Sequence, residues 1–150
     1  MKKNRSVPAD ALLSHVTYKD LEGAIRWLET AFGFREHFRY GDPPSGAQLQ
    51  AGNAWIMLRA GGPNYCNPAE LGFGTQSLTV FVEDVEERFV RARDAGAAIL
   101  EEPHETEYGE FQFAAKDPEG HEWLFARHAT DRAPEEWGAT VRHSLKDLAG

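Results

Sequence analysis

The sequence predicts an α+β fold made of two tandem βαβββ modules, with curved mixed sheets forming a cleft, helices on the outer face and a helical C-terminal tail. Two observations support this prediction. The order strand, helix and three strands occurs twice along the chain. The two predicted helices also begin with similar acidic turns, Asp20-Leu21-Glu22 and Asp84-Val85-Glu86, which lie 64 residues apart (84 − 20). A repeated module is a simpler account than chance, because the helix pattern and the strand order agree.

The first module is predicted over residues 10–60. Asp20 can cap its helix and Gly33 can end it. Between them, apolar residues recur at helical spacing and mark the buried side: Leu21, Ala24, Ile25, Leu28 and Phe32. Strands are predicted over residues 12–18, 34–40, 47–51 and 54–59, the last two forming a hairpin that turns on Gly52-Asn53.

Residues 61–76 are rich in Gly, Pro and Asn and indicate a linker before the second module, which is predicted over residues 77–128. Asp84 and Glu87 have the spacing of a capping box at the start of its helix, and Gly96 closes that helix. Strands are predicted over residues 77–82, 98–101, 110–116 and 122–127. The last two strands are joined by Asp117-Pro118-Glu119-Gly120, whose residue types are typical of a tight turn.

Residues 129–150 are predicted to form a helical tail. Pro134 followed by Glu135 and Glu136 is typical of a helix start. Four apolar residues could lie along one side of that helix: Trp137, Val141, Leu145 and Leu148. We expect the helix to pack on the body of the protein or on a second subunit, with a lid over a functional site as the alternative.

The amino-acid composition argues against several classes of function. A hydrophobic content of 41% is enough for a core, and the net charge of −8 argues against binding nucleic acid or an anionic membrane. There is no apolar run of membrane-spanning length and no signal-peptide pattern. The single cysteine, Cys66, cannot form an internal disulfide and suits a reducing compartment, so we expect a cytoplasmic protein and interpret Cys66 as an incidental loop thiol.

Alternation along the strands separates an apolar sheet face from a mixed one. The apolar set, which includes Val16, Tyr18, Trp123 and Phe125, fits beneath the helices. The opposite set in the first module is Leu13, His15, Thr17, Trp55, Met57 and Arg59, and in the second module Ser77, Thr79, Phe81, Glu122, Leu124, Ala126 and His128. This mixture suits a ligand-lined concavity better than a dry core.

The modules, their Asp-led helices ending in Gly, and the hairpin Asp117-Pro118-Glu119-Gly120-His121-Glu122-Trp123 resemble the vicinal oxygen chelate superfamily of glyoxalases, bleomycin-resistance proteins and extradiol dioxygenases. The resemblance covers residues 10–128. Tyr108-Gly109 and the segments 27–34 and 134–139 further resemble uncharacterised glyoxalase-like members. This resemblance implies a cleft bounded by one sheet from each module, commonly completed in a homodimer. It leaves function open, because the superfamily contains both metalloenzymes and metal-free drug-binding proteins.

The resemblance also implies where a metal would bind. The family's enzymes hold one divalent metal with His or Glu at four inward positions, which fall here on Leu13, Met57, Ser77 and Leu124. None of these is a usual ligand for a hard or borderline divalent metal. We therefore expect no metal and no other cofactor.

His15 and Glu122 are candidates for catalysis, because each lies two residues from a family metal position. They could form a displaced metal site or an acid/base pair. Alternatively, His15 only bonds a strand neighbour and Glu122 points to solvent. His121 is expected to fix the turn, and the other histidines, His37 among them, do not form a ligand-spaced cluster.

The function that we predict is metal-free binding of a small organic molecule, as in the bleomycin-resistance branch. A planar or amphipathic ligand would stack on Trp55, Phe81 and Tyr108. The remaining predicted contacts are His15, Gln48, Met57, Arg59, Thr79, Glu122 and Leu124. The alternatives are a divalent-metal-dependent lyase, isomerase or dioxygenase with a displaced site, and an accessory domain with a vestigial cleft. We expect a homodimer as the only macromolecular partner.

Overall fold

The computed structural model describes residues 4–5 and 12–149, so residues 10 and 11, where the first module is predicted to begin, lie outside the described part. The elements in chain order are β1 (Ser14–Tyr18), α1 (Leu21–Phe32), β2 (Arg35–Tyr40), β3 (Gly46–Ala51), β4 (Ala54–Ala60), α2 (Pro68–Leu71), β5 (Ser77–Phe81), α3 (Val85–Asp94), β6 (Ala98–Glu105), β7 (Glu110–Lys116), β8 (Glu122–His128) and α4 (Leu145–Leu148).

Each module folds into its own four-stranded mixed sheet. The strand order is β1-β4-β3-β2 in the first sheet and β5-β8-β7-β6 in the second. β1 pairs in parallel with β4, β5 pairs in parallel with β8, and the remaining pairs are antiparallel. The equivalent topologies confirm the predicted fold class of two tandem βαβββ modules.

The helices lie on one face of each sheet, and the two modules share one hydrophobic core. Phe32, at the end of α1, has its ring 4.9 Å from Phe125 and 6.0 Å from Trp123, both on β8 of the other module. Phe34 lies 5.3 Å from the Trp123 ring in the same cluster. Because edge-to-face aromatic contacts join the modules on the helix side, the opposite face of each sheet is directed away from this core.

Both ends of α1 are capped as the sequence predicts. The Asp20 carboxylate accepts a hydrogen bond from the Gly23 amide at 3.0 Å, which satisfies one of the free N–H groups of the first turn. Gly33 follows the helix with a φ of 73°, the left-handed conformation that glycine adopts without strain.

The second module adds two cations at the carbonyl end of α1. Arg88 donates to the Phe32 carbonyl at 2.6 Å, and Arg91 donates to the carbonyls of Thr30 and Glu29 at 2.7 and 2.8 Å. The last carbonyls of a helix have no partner within the helix and carry partial negative charge. The guanidinium groups of α3 therefore stabilise the end of α1 and fix the packing of the two helices.

The predicted capping box at the start of α3 is wrong. Asp84 makes no side-chain hydrogen bond to the helix N-terminus. Its carboxylate instead accepts from Arg88 Nε at 2.8 Å, because Arg88 is held in place by the end of α1. The helix ends at Asp94, and Gly96, with a φ of 87°, follows shortly after it.

The turn between β7 and β8 joins the modules through its first residue. Asp117 is buried, and one carboxylate oxygen accepts from the Tyr18 hydroxyl at 2.6 Å and from the Trp123 indole at 3.1 Å. The other oxygen accepts from the backbone amides of Glu119 and His121, each at 3.0 Å. Local turn chemistry and contact between the modules therefore depend on one carboxylate.

Two segments differ from the sequence prediction. The linker contains α2, whose start is capped reciprocally by Asn67 and Glu70. The tail forms a 3₁₀ turn (Pro134–Trp137) and the short α4 instead of one helix, since Gly138 adopts a φ of 94° and ends the first turn. Leu145 is 86% exposed, so the predicted apolar stripe does not form. Trp137 does pack on the body, with its ring 5.9 Å from Tyr108.

Candidate functional site

The predicted site residues lie on the sheet faces directed away from the helices, but they are divided between the two sheets. We call these surfaces face 1 and face 2. Face 1 consists of His15, His37, Trp55, Met57 and Arg59, over the buried Gln48; face 2 consists of Thr79, Phe81, Tyr108, Glu122 and Leu124. Among the described residues, no hydrogen bond, ion pair or ring contact joins face 1 to face 2 within the chain. Each face therefore carries half of the predicted ligand contacts.

Met57 lies at the centre of face 1, opposite His15 on β1 and Gln48 on β3. Gln48 is fully buried, so it does not reach the open surface on which the sequence places it. Its carbonyl oxygen lies 2.7 Å from His37 Nδ1, and its amide nitrogen lies 3.6 Å from the Met57 sulfur. In this structure Gln48 holds other site residues in place and makes no contact at the surface.

His37 is a member of face 1 that the sequence analysis does not select. The pairing of β2 with β3 shifts register between Glu36 and Phe38, and His37 is the extra residue of this bulge. Its ring is exposed and lies 5.4 Å from the Trp55 ring. The bulge interrupts the period of two, so alternation along the sequence could not place His37 on this face.

Trp55 and Arg59 provide the apolar and the charged parts of face 1. Trp55 is half-buried and Arg59 is exposed, on the same side of β4. Arg59 makes no ion pair within the described residues, so its guanidinium is available to a ligand. An aromatic ring, an imidazole and a free cation on one surface suit a planar molecule with polar substituents.

His15 and Glu122 do not form an acid/base pair within the chain, which is one of the alternatives that the sequence leaves open for them. His15, on β1, lines a cavity of about 200 Å³ together with Tyr65 and Cys66 of the linker. Glu122, on β8 of the other sheet, lies opposite Ser77 and Lys116 in the strand register. No hydrogen bond or ion pair joins the two side chains. His121 closes the turn through its backbone, whose amide donates to the Asp117 carboxylate at 3.0 Å, whereas its ring Nε2 lies 2.8 Å from the Thr17 carbonyl on β1.

Face 2 carries two exposed aromatic side chains, Phe81 and Tyr108. Phe81 is 59% exposed and lies opposite Ala126, which in turn lies opposite Gln112. The Tyr108 hydroxyl donates to the side-chain carbonyl of Gln112 at 3.2 Å. The small, buried Ala126 therefore lies between Phe81 and the Tyr108–Gln112 pair, and the exposed aromatic rings of Phe81 and Tyr108 are the apolar surfaces that face 2 offers.

The four positions at which the family's enzymes hold their metal do not fit a divalent cation. They are Leu13, Met57, Ser77 and Leu124, which offer alkyl groups, a thioether and a hydroxyl. Among residues 4–5 and 12–149, no group of three or more His, Cys, Asp or Glu side chains is arranged to hold a metal ion. The metal-free state remains a prediction that the donor chemistry supports.

A larger cavity, of about 410 Å³, opens on the helix side between Trp27, Phe73 and Lys116. A neighbouring cavity of about 240 Å³ shares Trp27, Asp117 and Pro118 with it. Size alone does not make this region the better candidate, because the Asp117 carboxylate is already saturated by four donors and offers a ligand little.

None of the helices in the described part is long and apolar enough to cross a membrane.

Comparison with known proteins gives consistent matches. The family model described as Glyoxalase/Bleomycin resistance protein/Dioxygenase superfamily matches residues 12–125. The crystal structure of TioX from Micromonospora sp. ML1 is 32% identical, with a TM-score of 0.67 over 80% of this chain and 99% of that one. A bleomycin resistance determinant encoded on transposon Tn5 is 19% identical, with a TM-score of 0.64 over 80% of this chain and 98% of that one.

Two further matches have different coverage. A glyoxalase I mutant from Zea mays is 20% identical with a TM-score of 0.65, and the match covers 79% of this chain and 45% of that one. An uncharacterised protein of Mycobacterium tuberculosis strain H37Rv is 29% identical over 121 residues, which is 75% of this chain and 71% of the relative. The solved structures with about 20% identity show the shared fold and carry no further argument.

Proposed function

Since the chain belongs to the glyoxalase/bleomycin resistance protein/dioxygenase superfamily, we propose that it binds a small organic molecule on faces 1 and 2 without the metal of the family's enzymes. One observation carries this proposal. All four family metal positions hold side chains that are poor ligands, whereas the same faces carry exposed aromatic and polar groups. Binding requires only shape and a few polar contacts, which these residues can supply.

The ligand that best fits these groups is a planar molecule with polar substituents. Trp55 on face 1 and Phe81 on face 2 offer flat apolar surfaces, and Arg59 offers a cation without an ionic partner in the described residues. Catalysis has weaker support, because His15 and Glu122 are on separate sheets and no other acid/base pair lies on these faces. The metal-dependent alternative would need a partner to bring these two residues together.

We further propose that two copies of the chain complete the site as a homodimer. Among the described residues no hydrogen bond, ion pair or ring contact joins face 1 to face 2, so the residues of the two faces do not form one binding surface within a single chain. Pairing face 1 of one copy with face 2 of the other would place Trp55 and Phe81 on opposite walls of one cleft. The exposed Phe81 supports this arrangement, because an aromatic ring that is 59% accessible gains stability from burial.

Replacing one aromatic residue on each side of the molecule tests where the ligand binds. Planar aromatic compounds that raise the Tm of the wild-type protein are titrated by calorimetry into Trp55→Ala and Trp27→Ala. We expect Trp55→Ala to weaken binding about tenfold, because it removes the stacking surface. Trp27 lines both helix-side cavities and is the matched control, so its replacement should leave affinity unchanged. If Trp27→Ala weakens binding and Trp55→Ala does not, the ligand binds on the helix side of the molecule instead.

A further inference from the structure

Face 1 contains a histidine whose orientation is set from beneath by a buried amide. The His37 ring is exposed, whereas Gln48 directly below it has no accessible surface. The Gln48 carbonyl oxygen is 2.7 Å from His37 Nδ1. A buried side chain has little freedom to rearrange, so it can hold the ring above it in one orientation.

The second contact of Gln48 determines which way its amide points. Its nitrogen faces the Met57 sulfur at 3.6 Å, and a thioether can accept a hydrogen bond but cannot donate one. The opposite orientation would place the carbonyl oxygen against the sulfur lone pairs and leave both without a donor. It would also cost free energy, because a buried polar group without a partner is unfavourable. The Met57 sulfur therefore favours the orientation in which the Gln48 carbonyl oxygen is directed at His37.

The protonation pattern of the neutral His37 ring follows from this orientation. A carbonyl oxygen accepts hydrogen bonds only, so Nδ1 must carry the ring proton. Nε2 is then an acceptor with a free lone pair, and it has no hydrogen-bond partner among the described residues. The centroid of the Trp55 ring is 5.4 Å from that of the His37 ring, so an apolar surface lies next to the imidazole.

We propose that His37 is a specificity-determining residue of face 1, and that it selects planar ligands with an in-plane O–H or N–H donor, such as phenols and NH-heteroaromatics. Gln48 is the positioning residue that holds His37 in its accepting form. The inference deepens the proposed function and rests on it, since a ligand must first bind beside Trp55. A ligand whose donor is blocked would meet the same apolar surface and leave Nε2 unpaired.

Two readouts test this proposal. The first is the tautomer, measured by ¹⁵N NMR of the histidine side chains in the wild-type protein at a pH where the spectrum shows neutral rings. We expect a protonated Nδ1 and an unprotonated Nε2 for His37. We expect this preference to be lost in Gln48→Leu, whose folding is checked by its thermal unfolding. A proton on Nε2 in the wild-type protein would overturn the inference without reference to any ligand.

The second readout is selectivity between β-naphthol and its methyl ether, in which a methyl group replaces the hydroxyl proton and so removes the donor. We expect the wild-type protein to bind β-naphthol about five- to tenfold more tightly, as one hydrogen bond allows. His37→Phe and Gln48→Leu should lose this preference, whereas replacement of the exposed His104 by Phe should keep it.

Equal affinities of the wild-type protein for the two probes would overturn the inference and leave the proposed function standing. The same conclusion follows if β-naphthol does not bind while other planar compounds bind beside Trp55. If no planar compound binds there, the proposed function fails and the inference fails with it.

Discussion

The Asp117 carboxylate is the residue-scale link between the two modules. It accepts four hydrogen bonds, and two of the donors are the side chains of Tyr18 and Trp123. Burial raises the pKa of the Tyr18 phenol well above its ordinary value, and the Asp117 charge raises it further. The folded protein therefore holds this proton more strongly than the unfolded chain does.

The raised pKa of Tyr18 predicts a loss of stability at alkaline pH. Because the folded-state pKa exceeds the unfolded value of about 10, the stabilisation is complete below that pH. It is lost as the pH rises from there through the folded-state pKa. Urea unfolding between about pH 8 and pH 11 should show this loss in the wild-type protein and less of it in Tyr18→Phe. Replacement of the exposed Tyr40 by Phe is the control and should leave the loss of stability unchanged. A loss in Tyr18→Phe equal to that of the wild-type protein would contradict the explanation.

The same turn shows how much the sequence can predict at this scale. Asp117, Pro118 and Gly120 identify a tight turn, since each residue type has a local backbone preference. The bond from Tyr18 to Asp117 joins positions 99 residues apart, and local preferences contain no information about such a partner. Likewise, the sequence predicts Gln48 as a ligand contact, because alternation shows which face a residue occupies but does not show what covers it.

At the scale of elements, α1 and α3 are held together by arginines at a helix end. Arg88 is the more enclosed of the two, and it bonds both the Phe32 carbonyl and Asp84. We expect Arg88→Met to lower the free energy of unfolding by about 1–2 kcal/mol, since a charge-assisted bond is lost and a carbonyl is left unpaired. Arg93→Met is the matched control, because Arg93 only pairs with its exposed neighbour Asp94.

Urea unfolding measures both arginine variants. Equal stabilities for Arg88→Met and Arg93→Met would show that the contact with the end of α1 contributes nothing measurable.

The sequence predicts the bounds of helices and strands well where one periodicity runs without interruption. α1 and the hairpin of β3 and β4 lie within about a residue of their predicted bounds, because helical spacing and the Gly52 turn are strong local signals. β6 runs on to Glu105, beyond its predicted end at residue 101, although it contains Pro103. It is an edge strand, where a missing N–H is tolerated. A bulge in β2 brings His37 onto face 1. This bulge arises from the pairing of β2 with β3, so the sequence of β2 alone does not predict it.

At the scale of the whole molecule, the shared helical core determines where the site can be. The repeat in the sequence predicts two equivalent sheets, but it does not say which of their faces meet. That depends on long-range packing, such as Phe32 against Phe125. The resulting separation of face 1 from face 2 is the reason for proposing that a second copy completes the site.

Mixed dimers test that arrangement. Trp55→Ala removes the aromatic wall of face 1, and Phe81→Ala removes that of face 2. In a homodimer with exchanged faces, a mixed dimer of the two variants keeps one intact site and one doubly impaired site. We therefore expect the purified mixed dimer to regain about half of the wild-type binding capacity, which neither variant shows alone. An unseparated co-expression mixture, in which about half of the dimers are mixed, should regain about a quarter. A monomer by light scattering, or no recovery in the mixed dimer, would contradict the arrangement.

The most direct test of the account is a binding titration on protein from metal-replete medium, before and after treatment with EDTA, with metal content measured by elemental analysis. We predict well under one equivalent of Ni, Zn, Mn or Fe, and an affinity for planar aromatic compounds that EDTA does not change. Stoichiometric metal that is lost in His15→Ala or Glu122→Ala, or binding that requires added metal, would contradict metal-free binding and favour a metal-dependent enzyme with a displaced site.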